Sequence, residues 1–488
     1  MRFSWAATAL FALPSVLAAG SKGQFPVIDG VIGGIRNNTR VQEEAVLASK
    51  KTTPGKLRVV ENSGICETTK GVYQASGYGD LTSKESIFFW YFDARNNASS
   101  APLTLWFNGG PGSSSMLGLF QELGPCRITN NSESVTLNPY SWNTNSNLLV
   151  IDQPVGAGFS HGTSTVGTSL EAASDIWKFI QIFLADSRFA HLANVDLAIW
   201  TESYGGHYGP TFASYFLSQN EAIANGTATG VTLNLKTLAI GNGLTDPISQ
   251  YPGYISYATS NPYGALVSSS TIKTATNAWS SSKGCEAQIK ACNNGGSNSV
   301  CSSAQSYCNN NILSALIGDH DVYYVLSGSD DPYPPDITSY LGGIQSKIGA
   351  EVTWQMTSDT VYNNFAETGD WMRTVLPLLD AVVDAGIRVH LYNGDADFIV
   401  NYQGVEDMMA TMSNKYSSEF NKQSFGTYTV GGKDAGEYKN AGGFSYLRVT
   451  LSGHQVPAYQ NVRTGLAFGE AAFQMFTQVM SGGELVST

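Results

Sequence analysis

Serine is a poor nucleophile until a base accepts its proton, so a hydrolytic serine needs a histidine within reach and a carboxylate behind that histidine. Ser203 stands in a setting that suits this chemistry. The apolar run 197–200 stops at Thr201-Glu202-Ser203-Tyr204-Gly205, and a helix-like segment follows over 210–217. Strand, sharp turn and helix form the context of a nucleophile elbow, which lifts the hydroxyl above a sheet at a helix N-terminus. Thr201 replaces the first glycine of the G-x-S-x-G pattern with another small residue. Without its context Ser203 reads equally as a turn serine. Beyond His207, which belongs to the elbow segment itself, three of the six histidines follow, His320, His390 and His454, and behind such an elbow the acid and then the base come later in the chain. His320 falls in a polar, irregular stretch and His390 inside a strand-like run, whereas His454 sits in the loop Ser452-Gly453-His454-Gln455 just after the run 446–451. Elimination selects His454. The orienting carboxylate then belongs at the end of the run 387–392, where Asp395 and Asp397 both stand. Spacing does not separate them, and Asp395 also reads as a turn cap.

These residues need a frame that brings distant segments together. Short apolar runs at 103–107, 148–151, 197–200, 238–240, 387–392 and 446–451 each end in a turn, most of them glycine-bearing. Runs of this length, rich in Leu, Ile and Val, read as buried strands of a mostly parallel sheet. Between them lie helical patterns, such as Ile176, Phe179, Ile180, Phe183 and Leu184 on one face. Alternating strands and helices predict an α/β fold, which binds ligands at the carboxyl ends of its strands. The chemically suggestive residues all sit at such ends. The division expected is a core over 52–245 and 375–488, interrupted by an inserted cap over 246–374 that shapes the pocket and excludes water. Near the N-terminus, 87–92 and the region of Tyr73 read as antiparallel strands at the sheet edge.

Composition narrows the function classes. The 488 residues are 42% hydrophobic and 14% charged, enough for a large core, and the formal charge of −12 disfavours nucleic acid as a partner. Residues 1–19 carry one early positive charge, a short apolar run broken by Pro14 and small residues at the end, the pattern of a secretory signal and not of a membrane anchor. The weakly patterned residues 20–51 read as an N-terminal extension or a removed propeptide. In an oxidising compartment the cysteines predict disulfides. Cys285, Cys292, Cys301 and Cys308 crowd a Ser-, Asn- and Gly-rich stretch that reads as a stapled loop, with no His and no C-x-x-C pair to suggest zinc. The pairing favoured is nested, Cys285 with Cys308 and Cys292 with Cys301, alongside Cys66 with Cys126. Asn37, Asn97, Asn130 and Asn225 each open a glycosylation sequon.

Four segments together resemble the motif set of the serine carboxypeptidases, the secreted fungal S-type members above all. They are Trp106-Phe107-Asn108-Gly109-Gly110-Pro111-Gly112-Ser113-Ser114, Thr201-Glu202-Ser203-Tyr204-Gly205-Gly206, Gly394-Asp395-Ala396-Asp397 and Gly453-His454-Gln455-Val456-Pro457. The resemblance implies an α/β-hydrolase fold and removal of C-terminal residues from peptides and proteins through an acyl-enzyme. It implies Asp397 as the third member of a set with Ser203 and His454, and the backbone N–H groups of Gly110 and Tyr204 as an oxyanion hole. It assigns the substrate carboxylate to Asn108, Gly109, Glu122 and Glu202. Two glutamates suit an anion only if protonated, which predicts activity favoured at acid pH. Ile399 and Trp371 are expected to line the pocket for the penultimate side chain. Neither metal nor organic cofactor is implied, and the expected location is extracellular, with the vacuole as the alternative. An acyltransferase or esterase on the same triad is the nearest competing reading, and a catalytically inert binding protein on the same fold is a more distant one.

Overall fold

In the computed structural model residues 52–327 and 334–488 are described. The signal and the segment 20–51, with Asn37 in it, lie outside the described residues. The central strands send apolar side chains to both faces because both faces are covered. Strands Asn147–Ile151, Leu103–Phe107, Leu197–Glu202, Leu235–Gly241, Arg388–Gly394 and Phe444–Val449 lie side by side in that order, all parallel. Antiparallel strands extend both edges: Glu85–Phe92, Gln74–Asp80 and Leu57–Glu61 on one side, Lys433–Ala441 and Gly426–Val430 on the other. Alternate side chains feed two cores. Leu105, Ile199 and Leu391 join the helices Ser169–Ala185 and Gly205–Ala224, while Trp106, Trp200 and Tyr392 join Met475 and Phe476 of Glu470–Met480. This is an α/β-hydrolase fold, a mostly parallel sheet between helical layers.

The helix Ser169–Ala185 begins at a reciprocal cap, a capping box with its return bond shifted one residue outward. Thr168 Oγ1 accepts from Glu171 N at 3.2 Å, and the Glu171 carboxylate reaches back to Gly167 N at 2.9 Å.

The cysteine-rich stretch differs from the loop expected. It is a helical hairpin, Cys285–Asn293 and Asn298–Cys308, closed by Cys285–Cys308 and Cys292–Cys301. On each helix the two cysteines are seven residues apart, so they share one face, and antiparallel helices then pair them in nested order. All four are fully buried and form part of the apolar core. Cys66 is joined to Cys126.

The segment 246–374 is also not confined to the strand ends. Its helix Thr338–Ile348 sends Leu341, Ile344 and Ile348 into the core on the Trp106 side of the sheet. Ser76 Oγ donates to Ile348 O at 2.9 Å, and Glu351 N donates to the Tyr78 hydroxyl at 2.9 Å. Among the described residues no helix is long and apolar enough to cross a membrane.

Candidate active site

Strand Leu197–Glu202 turns into helix Gly205–Ala224 at Ser203, whose φ of +66° is left-handed. A serine holds that conformation only where its surroundings over-determine it. Here Ser203 N donates to Gly241 O at 3.0 Å, and Ser203 O accepts from Leu244 N and Gly206 N, each at 2.9 Å. Thr201, the departure from the elbow pattern, turns its hydroxyl to Gly205 O at 2.9 Å.

His454 is buried and bonds Asp397 Oδ2 through Nδ1 at 2.9 Å. That bond assigns the proton to Nδ1 and leaves a lone pair on Nε2, which has no hydrogen-bond partner among the described residues. Asp397 is fully buried and held by three further donors: Asn242 Nδ2 at 2.7 Å, Ile399 N at 3.1 Å and Val400 N at 3.2 Å. Asp395 points elsewhere. It accepts from the Tyr263 hydroxyl at 2.6 Å and from Leu451 N at 2.8 Å, and burial pushes its carboxyl up to about 6. The contacts thus separate two aspartates that spacing left equivalent.

The loop after strand Leu103–Phe107 runs against the elbow. A Cβ on Gly109 would stand 2.3 Å from Tyr204 N, so only glycine lets the two backbones approach this closely. Buried Asp152 ties the loop down, accepting from Ser114 Oγ at 2.7 Å and Ser115 N at 2.8 Å. Ser115 Oγ in turn accepts from Asn108 N at 3.1 Å. Asn108, Gly109, Gly110, Ser203, Tyr204 and His454 all line one cavity.

Behind that cavity two carboxyls meet. Asn108 Oδ1 is occupied by Trp106 Nε1 at 2.8 Å and Gly118 N at 3.0 Å, which turns Nδ2 towards Glu202 Oε1 at 3.2 Å and Glu122 Oε1 at 3.4 Å. Both glutamates are buried, and the second oxygen of each has no partner if both are ionised. A proton between them supplies the missing donor. Burial, then the charge and hydrogen bond of Glu122, then Asp397, hold Glu202 well above the usual carboxylate range. Burial also raises Glu122, opposed by hydrogen bonds from Glu202, Gln455 and Asn108.

A profile described as serine carboxypeptidase matches residues 65–482. The chain belongs to the serine carboxypeptidase family. Carboxypeptidase S1 of Penicillium janthinellum is 42% identical over 434 residues, covering 88% of this chain and 100% of that protein. Carboxypeptidase S1 homolog A of Arthroderma otae is 32% identical, covering 98% of this chain and 82% of its own. In fold, a prohormone-processing carboxypeptidase from Saccharomyces cerevisiae aligns with a TM-score of 0.69 at 21% identity, across 87% of this chain and 95% of the other. The protein is accordingly a serine-type carboxypeptidase, a hydrolase that cleaves C-terminal peptide bonds through an acyl-enzyme, favoured at acid pH.

In this carboxypeptidase the apolar side of the cavity is formed by Leu244, Trp371, Ile399 and Val400. Trp371 stacks on Tyr204 with ring centroids 5.7 Å apart. Sequence reasoning missed several of the enzyme's supporting residues. Asn242 was visible only as part of a Gly-Asn-Gly turn, yet it donates to Asp397. Asp370 gave no local signal, yet its Oδ2 accepts from the Tyr204 hydroxyl and from Ser169 Oγ, each at 2.6 Å. Tyr323 O accepts from His454 N at 2.8 Å, which ties the inserted segment to the histidine loop. The sequon residues Asn97, Asn130 and Asn225 are exposed.

Proposed function

We propose that Ser203 attacks the carbonyl of the C-terminal peptide bond while His454 Nε2 takes its proton and Asp397 holds the imidazole in the tautomer that leaves Nε2 free. The observation that carries this reading is the Asp397–His454 hydrogen bond at 2.9 Å with an unpartnered Nε2 lining the same cavity as Ser203. The backbone N–H groups of Gly110 and Tyr204 stabilise the oxyanion of the tetrahedral intermediate. His454 then returns its proton to the leaving amine, and water, deprotonated by the same nitrogen, releases the acyl group. Asn108, Gly109, Glu122 and Glu202 bind the substrate carboxylate. With both glutamates protonated the pair offers a neutral donor to the anion, and the bond weakens as the pair begins to ionise. The penultimate side chain packs on Trp371 and Ile399, an apolar surface that favours apolar residues there. The substrates are peptides and proteins with free C-termini. The chain is secreted, outside the cell in preference to the vacuole, and carries N-glycans at its exposed sequons.

A fluorophosphonate probe tests the nucleophile. The expected result is a single adduct on the peptide containing Ser203, absent in Ser203→Ala and slowed by about 10⁴-fold in Asp397→Asn, the scale seen when a triad loses its orienting carboxylate. Labelling at another serine would overturn the assignment.

A further inference from the structure

A chain of side-chain amides runs from half-buried Pro335 to the Glu122 carboxyl, and its sense is determined at the outer end. A carbonyl oxygen can only accept, so Gln121 turns Nε2 to Pro335 O, at 2.9 Å. Gln121 Oε1 therefore faces inward, where it accepts from Gln455 Nε2 at 2.9 Å. The same Gln455 nitrogen donates to Glu122 Oε1 at 3.2 Å. Asn108 already donates to both glutamates. Glu122 thus receives two amide donors and Glu202 one. An N–H donor stabilises a carboxylate over its protonated acid, so Gln455 makes the two carboxyls inequivalent.

The charged and titratable groups around the pair are His454 towards Glu122, Asp397 and Tyr323 towards Glu202, and Tyr392 towards both. Arg127 Nη2 bonds the Glu122 backbone oxygen at 2.9 Å. Gln455 carries no charge, and its effect reaches Glu122 through one hydrogen bond.

We propose that Gln455 is a positioning residue that sets the upper pH limit of C-terminal carboxylate recognition, by holding Glu122 towards its ionised form. The inference rests on the reading of Glu122 and Glu202 as the carboxylate-binding pair. With both protonated, the Glu122 hydroxyl donates to Glu202 and the Glu202 hydroxyl is left for the substrate anion. Once Glu122 ionises, the Glu202 hydroxyl turns to Glu122, and the incoming carboxylate meets a negative charge. Removing the Gln455 donor delays that ionisation as pH rises.

The test is the ratio of KM for a free-acid peptide to KM for its C-terminally amidated twin, measured from pH 4 to 8 in wild type, Gln455→Met and Gln455→Leu. The two replacements differ in shape, and circular dichroism establishes which are folded. In wild type the ratio rises with pH as the pair ionises. In the variants the rise is expected about one pH unit higher, the scale of one lost hydrogen bond to a charged group, so that at the wild-type midpoint the variants still favour the free acid. A folded variant whose profile superposes on wild type, or moves to lower pH, overturns the role of Gln455. A wild-type ratio that is flat with pH overturns instead the reading of Glu122 and Glu202 on which it rests.

Discussion

Glu202 occupies two settings at once, the last residue of a buried strand and the neighbour of Ser203, the proposed nucleophile. Its carboxyl is pushed well above the ordinary range by burial and by Glu122, so it keeps a hydrogen to donate where an exposed glutamate would not. Replacing it with glutamine substitutes an amide N–H that does not titrate. Glu202→Gln is therefore expected to flatten the rise of free-acid KM with pH, raising neutral activity relative to acid activity even if absolute rates fall. Steady-state KM at pH 4.5 and 7.5 checks this, and an unchanged slope would mean that another group titrates. Asp395 and Asp397 make the complementary point. They stand two residues apart on one strand end, and only their long-range partners, Tyr263 and Leu451 against Asn242 and His454, give them different work.

At the scale of elements, the elbow depends on a contact between Thr201 and Gly205. A Cβ on Gly205 would stand 2.5 Å from Thr201 Cβ. Gly205→Ala is thus expected to displace Ser203 and cut activity by at least about 10²-fold, the scale of a 1 Å misplacement, and Thr201→Gly in the same chain to restore much of it. A double variant no better than the single would place the cause elsewhere. Much of this frame was legible because each strand is a short apolar run stopped by turn residues. The run 103–107 coincides with strand Leu103–Phe107, and 387–392 falls one residue before and two short of Arg388–Gly394. Ser203, His454 and Asn108 could be grouped because each follows a different run at its carboxyl end. What was not legible has non-local causes. The helices Cys285–Asn293 and Asn298–Cys308 owe their burial to disulfides and not to an apolar stripe, and the antiparallel pair Gly426–Val430 and Lys433–Ala441 is half-exposed and polar. Asn242, Asp370 and Gln121 reach partners more than a hundred residues away, and no periodicity reports such contacts.

For the whole molecule the buried carboxyls give stability a direction with pH. Burial raises both Asp152 and Asp395 to about 6, above the value of about 3.9 for an unfolded aspartate. The native state then binds more protons than the unfolded chain between those values, so their contribution is full below about pH 4 and is lost as pH rises past 6. Glu67, where bonds from Thr69 and Arg95 overcome burial, and Asp186, held by Arg188, are lowered instead and lose stability only towards more acid pH. Thermal unfolding is expected to show a midpoint that falls from pH 4.5 to 7.5, and a rise over that range would contradict the argument. Acid conditions thus favour both the fold and the carboxylate site. The central claim, that the Ser203 cavity removes residues from a free C-terminus recognised by protonated glutamates, is tested most directly by mass-spectrometric digestion of a peptide and its C-terminally amidated twin across pH 4 to 8. The account predicts stepwise C-terminal loss from the free acid, strongest at acid pH, with the amidated twin largely spared and no cleavage by Ser203→Ala; equal attack on both peptides, or activity surviving in Ser203→Ala, would contradict it.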